Sequence, residues 1–213
     1  MTRLILAGLA AVVGVMGIVF GVGCQPNGVG DPCIPEQEYD PTYAGANYDE
    51  VGVVPGSFQC LTRLCLVNHF QGRVTCPYGQ ADGGAPVFPG SGVTAGCVTP
   101  GLQTNVSAAV APQCISRQTA EAVYCSCRCE NLNGATDDGA NYCKCPSGFS
   151  CTQLVSSLGA GLDQGLTGGY CIRDGTAFSA SATSSSTISC TGASNECGGE
   201  SANCGPTDNT GGL

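Results

Sequence analysis

Apolar residues are dense at only one place in this chain, the run at residues 4–23, and afterwards they come in short clusters set apart by Gly, Pro, Asn and Ser. That run follows Arg3 and ends in Gly21-Val22-Gly23, the layout of an export signal. Residues 34–56 carry Glu36, Glu38, Tyr39, Asp40, Tyr43, Tyr48, Asp49 and Glu50 with Pro35, Pro41 and Pro55, and read as an extended acidic loop pinned at Cys33. The strongest strand pattern follows in residues 57–78: Phe58, Cys60, Leu64, Leu66 and Val67, a turn at Gln71-Gly72, then Arg73-Val74-Thr75-Cys76. It predicts a hairpin. Residues 79–113, crowded with Gly and Pro, read as irregular chain around Cys97 or a boundary between two subdomains.

Further along, Ser116 reads as the N-cap of a short helix over 119–123. Cys125-Ser126-Cys127-Arg128-Cys129 alternates with period two, which places its three sulfurs on one face of a strand, and Tyr142-Cys143-Lys144-Cys145 repeats the pattern. The turn-rich stretch between them, with Asn133-Gly134 and Asp138-Gly139, predicts an antiparallel hairpin lined with sulfur. Cysteines two apart on a strand stand about 6–7 Å from each other, too far to bond, so these five are expected to bridge to other segments. Residues 150–158 read as a short helix and 170–173 as a last strand. Residues 174–213, rich in Ser, Thr, Gly and Ala, lack the means to build a core.

Composition explains how so sparse a pattern folds. Removing residues 1–23 from the 213 leaves 190, of which 32 are Ile, Leu, Val or Phe, about 17%, below the usual level for a self-sufficient core. Seventeen cysteines make up the shortfall. A native disulfide typically contributes about 2–4 kcal/mol, and such scaffolds belong to oxidising compartments. The expected fold class is small and disulfide-rich, mostly β with short helices and long irregular loops.

Charge narrows the partners. With Arg3 removed, six basic residues face sixteen acidic ones, a formal charge of −10, and no basic cluster exists. Nucleic-acid binding is excluded on that ground.

The run at 4–23 together with Cys24 resembles the bacterial lipoprotein signal, although Gly21 stands where the family prefers Leu. The resemblance covers residues 1–24 and implies that Cys24 is the lipid-attachment residue. Residues 24–32 then form a tether, and Gln25, in place of Asp, implies delivery to the outer membrane. The same run is also long enough to span a bilayer uncleaved, or to release the protein altogether. Cysteine parity favours the lipoprotein. Setting Cys24 aside leaves sixteen for disulfides: Cys33, Cys60, Cys65, Cys76, Cys97, Cys114, Cys125, Cys127, Cys129, Cys143, Cys145, Cys151, Cys171, Cys190, Cys197 and Cys204. Thirteen of these lie in a body at 33–173 and three in the tail at 174–213, both odd numbers, so full pairing ties the tail down at least once.

Two looser resemblances accompany this one. Residues 143–149 are similar to the closing part of an epidermal-growth-factor-like module, with Cys151 following after only Ser150. The signal, Gly30-Asp31-Pro32-Cys33 and the composition resemble the cysteine-rich lipoproteins of myxobacteria.

Chemistry that the chain would need for other functions is thin. It has no Cys-x-x-Cys, so zinc ribbons, thioredoxin-like sites and haem attachment lose their usual signature. No metal or other cofactor is expected. His69 is the one histidine, and no Gly-x-Ser-x-Gly elbow accompanies it. Glu36, Glu38, Asp49, Glu50, Asp137 and Asp138 are acid-base candidates by type alone, and the last two suit a turn. The expectation is therefore a non-enzymatic ectodomain, held to the membrane by lipid, that binds a protein or glycan partner or serves envelope structure, with the acidic tyrosine loop as its display. The alternative is a hydrolase or hydrolase inhibitor anchored at the cell surface.

Overall fold

The computed structural model describes residues 28–48, 50–84, 96–101, 104–112, 118–156 and 164–177. The signal run, Cys24, Cys114, Ser116 and the tail from 178 with its three cysteines lie outside the described residues.

Two small antiparallel sheets form the body. Strands β1 (Val51–Pro55), β2 (Leu64–Asn68) and β3 (Val123–Cys125) make the first, in that order. Strands β4 (Arg128–Glu130), β5 (Phe149–Val155) and β6 (Gly168–Arg173) make the second, in the order β4-β6-β5. One four-residue helix, α1 (Thr119–Ala122), and three short 3-10 turns are the other regular elements among the described residues. The expected fold class, disulfide-rich and mostly β, describes this architecture.

Each central strand is buried on both faces, which explains why β2 reads as a continuous apolar run rather than an alternating one. Leu64 and Leu66 of β2 pack with Tyr124, Val155, Tyr170 and Ile172 in the layer shared by the two sheets. Cys65 and Val67 face the other way, into a cluster with Cys33, Val54, Cys60, Phe70, Val123 and Cys125. Strand β6 does the same: Tyr170 and Ile172 turn inward, while Cys171 joins Cys127 and Cys129 on the far side. The disulfides therefore cover the outer faces. Cys33–Cys65 and Cys60–Cys125 lie over the first sheet, and Cys127–Cys143, Cys129–Cys151 and Cys145–Cys171 over the second, where a larger protein would place helices. Cys76–Cys97 closes a satellite cluster with Val106 and Val110.

Several local expectations are corrected. The partner of β2 is β1, upstream in the stretch expected to be loop, with Val51 opposite Asn68 and Pro55 opposite Leu64. Residues 73–76 turn instead of extending, because the Glu38 carboxylate takes the amide N–H groups of Val74 (2.6 Å) and Thr75 (3.0 Å) that a ladder would have used. The helix near 119 is capped by Gln118, whose side chain and that of Glu121 form a capping box, and it ends at Ala122. Val123 belongs to β3, as its β-branched side chain favours.

The stretch 125–129 is two strands in different sheets. Ser126, fully buried, marks the crossing: its N–H donates to Leu64 O (3.1 Å) and its hydroxyl to Cys171 O (2.8 Å), stitching the sheets together. The sulfur-lined hairpin at 125–145 does not form. Strand β4 pairs with β6, and Tyr142–Cys145 meets its other edge by one hydrogen bond, Cys143 N to Arg128 O at 3.0 Å. Two of the five clustered cysteines, Cys127 and Cys143, bond to each other, contrary to the expectation that all five reach elsewhere. Residues 149–155 form a strand rather than a helix, paired with β6 from Phe149 opposite Arg173 to Gln153 opposite Gly169, with a register shift before Val155 opposite Gly168. The last strand is where it was expected, extended by two residues to Gly168.

Candidate functional site

The display loop is folded, and two buried charges fold it. Glu36–Tyr39 is a 3-10 turn whose Glu38 points inward, 1% exposed. Its carboxylate accepts from Val74 N, Thr75 N and the Thr75 hydroxyl (2.7 Å). Arg73, with no exposed surface, returns the favour from the other segment, donating to the carbonyls of Asp40 (3.2 Å), Tyr43 (2.7 Å) and Glu38. Burial depresses the Arg73 pKa, and the Glu38 carboxylate opposes that shift. Neither charge is available to a ligand.

The three tyrosines consequently differ. Tyr39 is 43% exposed and stands on the surface with Glu36, Gln37 and Asp40. Tyr43 is half-buried with the Arg73 guanidinium 5.6 Å from its ring centroid, and burial, followed by the Glu38 charge, pushes its hydroxyl up to about 12. Tyr48 is half-buried, and its carbonyl lies 2.9 Å from His69 Nδ1. Of the three tyrosines of the expected display, Tyr39 is the one presented outward. Asp49 lies outside the described residues, and Glu50 is exposed.

His69 follows β2 with a positive φ of 54°, its backbone N–H on Glu50 O (3.0 Å) and its ring on the Tyr48 carbonyl. With Nδ1 donating to that carbonyl, the imidazole fastens the β2 end to the acidic segment. Asp138, the other candidate carboxylate of note, organises its own turn. It accepts from Tyr142 OH (2.6 Å), Asn131 Nδ2 (2.9 Å) and Ala140 N (3.0 Å), and these bonds hold its pKa at about 2. Arg128 stacks over the Tyr142 ring at 4.9 Å. These residues explain why 131–142 is ordered without strands.

The cysteine clusters look like metal sites by distance alone. The sulfurs of Cys127, Cys143 and Cys171 lie within 4.8 Å of one another, as do those of Cys129, Cys145 and Cys171, and those of Cys33, Cys60 and Cys125. Every one of these sulfurs is bonded to another, and a disulfide sulfur is not the thiolate that a soft metal requires. The twelve described cysteines of the expected disulfide set are all joined.

One surface was not foreseen. Between β1 and β2, Phe58 is 89% exposed and Leu61 62% exposed, with the Arg63 guanidinium 4.5 Å from the Phe58 ring centroid. Phe58 reads as a strand residue by its neighbours, whereas the preceding Pro55-Gly56, a turn dipeptide, is the signal that places it in a loop. Among the described residues no helix is long and apolar enough to cross a membrane. No protein-family model, curated protein or solved structure matches the chain.

Proposed function

We propose that this chain is a non-enzymatic lipoprotein of the bacterial outer membrane, anchored through Cys24, whose disulfide-stapled ectodomain serves surface binding or envelope structure. The observation that carries the proposal is the complete pairing of the twelve described cysteines into six bridges, which supports an oxidising environment. The apolar run at 4–23 supplies the route there, and Cys24 the attachment point. The candidate acidic and imidazole side chains support the non-enzymatic reading, since Glu38 and Asp138 are engaged in holding loops and His69 in fastening a strand end.

Intact-mass analysis of the protein from a lipoprotein-processing host tests this. The expected product begins at a diacylglyceryl-modified Cys24 and, denatured without reductant, takes up no thiol-alkylating reagent. A retained leader, or an alkylatable Cys24, refutes the anchor.

A further inference from the structure

We infer that the sulfur layer over the second sheet is a thiol-exchange site: a small thiol adds at Cys151, and a relay through the two neighbouring bridges delivers the displaced thiolate to Cys143. This goes beyond the binding and envelope reading and does not depend on the lipid anchor.

The bridges of this layer touch one another. Cys171 Sγ, bonded to Cys145, lies 3.7 Å from Cys127 Sγ and 3.6 Å from Cys143 Sγ, the two ends of the next bridge. The sulfurs of Cys129, Cys145 and Cys171 lie within 4.8 Å of one another, which sets the Cys129–Cys151 bridge against the Cys145–Cys171 bridge in the same way. The backbone supports a change of partner. Cys171 N donates to Cys127 O (3.1 Å) across β4 and β6, and adjacent strands stand about 5 Å apart, inside the Cα spacing that a disulfide requires. Once a sulfur is released, rotation about its χ1 brings it into line with the bond it attacks.

Burial sets the entry and the direction. Cys151 is exposed on β5, at the edge of the sheet, and Cys143 and Cys145 are half-buried, whereas Cys127, Cys129 and Cys171 are buried. A thiolate R–S⁻ attacks Cys151 Sγ, forming R–S–Cys151 and breaking the bond to Cys129, which leaves with the electron pair. The Cys129 thiolate attacks Cys145, forming Cys129–Cys145 and releasing Cys171. The Cys171 thiolate attacks Cys127, forming Cys127–Cys171 and releasing Cys143, which takes up the proton that R–SH gave to water. Each step exchanges one S–S bond for another, so no oxidant or reductant is consumed and the protein gains one R–SH. A thiolate stranded at Cys129 or Cys171 lacks hydration, while one at half-buried Cys143, next to Lys144 in sequence, meets solvent. The exchange therefore runs outward. The first sheet is the internal comparison: the sulfurs of Cys33, Cys60 and Cys125 are packed as closely, but with Cys65 they are at most 2% exposed and offer a thiol no entry.

Reduced glutathione in slight excess over the folded, oxidised full-length protein tests the relay, with free thiols then capped by N-ethylmaleimide and the bridges mapped without reduction. Cleavage after Arg128, Glu130, Lys144, Phe149 and Tyr170 puts the cysteines of the layer on separate peptides. In the singly glutathionylated species the expected map has glutathione on Cys151, maleimide on Cys143 in about ten-fold excess over Cys129, and new Cys129–Cys145 and Cys127–Cys171 links, with Cys33–Cys65 and Cys60–Cys125 intact. Maleimide on Cys129 with the other bridges unchanged overturns the relay. Glutathione mainly at a cysteine other than Cys151, or no uptake by the folded protein, overturns the site. Cys151→Ser is the second arm, since it leaves Cys129 unpaired before any glutathione is added. Maleimide is expected on Cys143 in this variant, and label confined to Cys129 overturns the relay.

Discussion

Glu38 is the residue whose role changed most between sequence and structure, and its removal is the sharpest test of how the acidic segment is held. In Glu38→Ala, the N–H groups of Val74 and Thr75 and the Thr75 hydroxyl lose their acceptor inside the protein, and buried Arg73 loses the charge that most favours its own. Unsatisfied buried donors cost about 1–3 kcal/mol, and the upper end, about 3 kcal/mol, is expected here. For a protein of this size that is a fall in Tm of roughly 9 °C. Calorimetry of the oxidised protein measures it, with amide exchange at Val74 and Thr75 as the local readout. The control is Glu36→Ala, two residues away in the same 3-10 turn but exposed, where an effect within about 0.5 kcal/mol is expected. Equal and small effects at both positions would refute the buried-charge argument and return the segment to an ordinary solvated loop.

Three further outcomes are expected. The Asp138 carboxyl, held at about 2 against an ordinary 3.8, stabilises its turn fully above pH 3.8 and loses that contribution as pH falls through about 2; an NMR titration midpoint near 4 would contradict the Tyr142 and Asn131 hydrogen bonds. Tyr43 and Tyr170 are both raised to about 12, chiefly by burial, so their contribution is intact below pH 10 and disappears as pH rises through 12; ultraviolet titration should show phenolate absorbance lagging, and a single transition near 10 would sink the assignment. The six bridges use every body cysteine except Cys114, so complete pairing of the sixteen requires one link from Cys114 to Cys190, Cys197 or Cys204; a non-reducing peptide map in which Cys114 is alkylated as a free thiol would break the parity argument.

The fold class was legible because composition alone dictates it: few aliphatic residues and many cysteines leave short strands stapled by sulfur. The strand at Leu64–Val67 and the one at Tyr170–Arg173 were legible too, being compact apolar runs. What could not be read were the pairings. Strand β1, Val51–Pro55, includes a glycine and ends in proline, so nothing local marks it, and it becomes a strand by lying along β2. Strand β5 carries Ser, Thr and Gln on an edge whose middle is exposed, a pattern as compatible with a short helix as with a strand. Buried Glu38 and Arg73 have no sequence signature, since an acid among acids and an isolated arginine both read as solvated. Phe58 failed in the opposite sense, an aromatic that neighbouring apolar residues made look internal.

The period-two rule for the Cys-x-Cys run shows where such reasoning stops and why. It holds within the second sheet, where Cys127 and Cys129 share one sulfur layer with Cys171. It fails between Cys125 and Cys127, because Ser126 carries the chain from one sheet to the other and Cys125 faces the opposite outer layer. The failure has a structural reason. Both central strands are buried on two faces, and among the described residues the only α-helix is four residues long, so each sheet needs its outer face covered by something else. Sending alternate cysteines of one short run to opposite sides of a two-sheet stack lets a single segment anchor both covers. Full reduction would release both covers at once and leave two small clusters, the middle layer of Leu64, Leu66, Tyr124, Val155, Tyr170 and Ile172 and the outer cluster of Val54, Val67, Phe70, Val74 and Val123, set against the ordering of the whole body at about 1–2 kcal/mol per residue. So few buried side chains do not offset that ordering, and the fold's stability depends on its bridges.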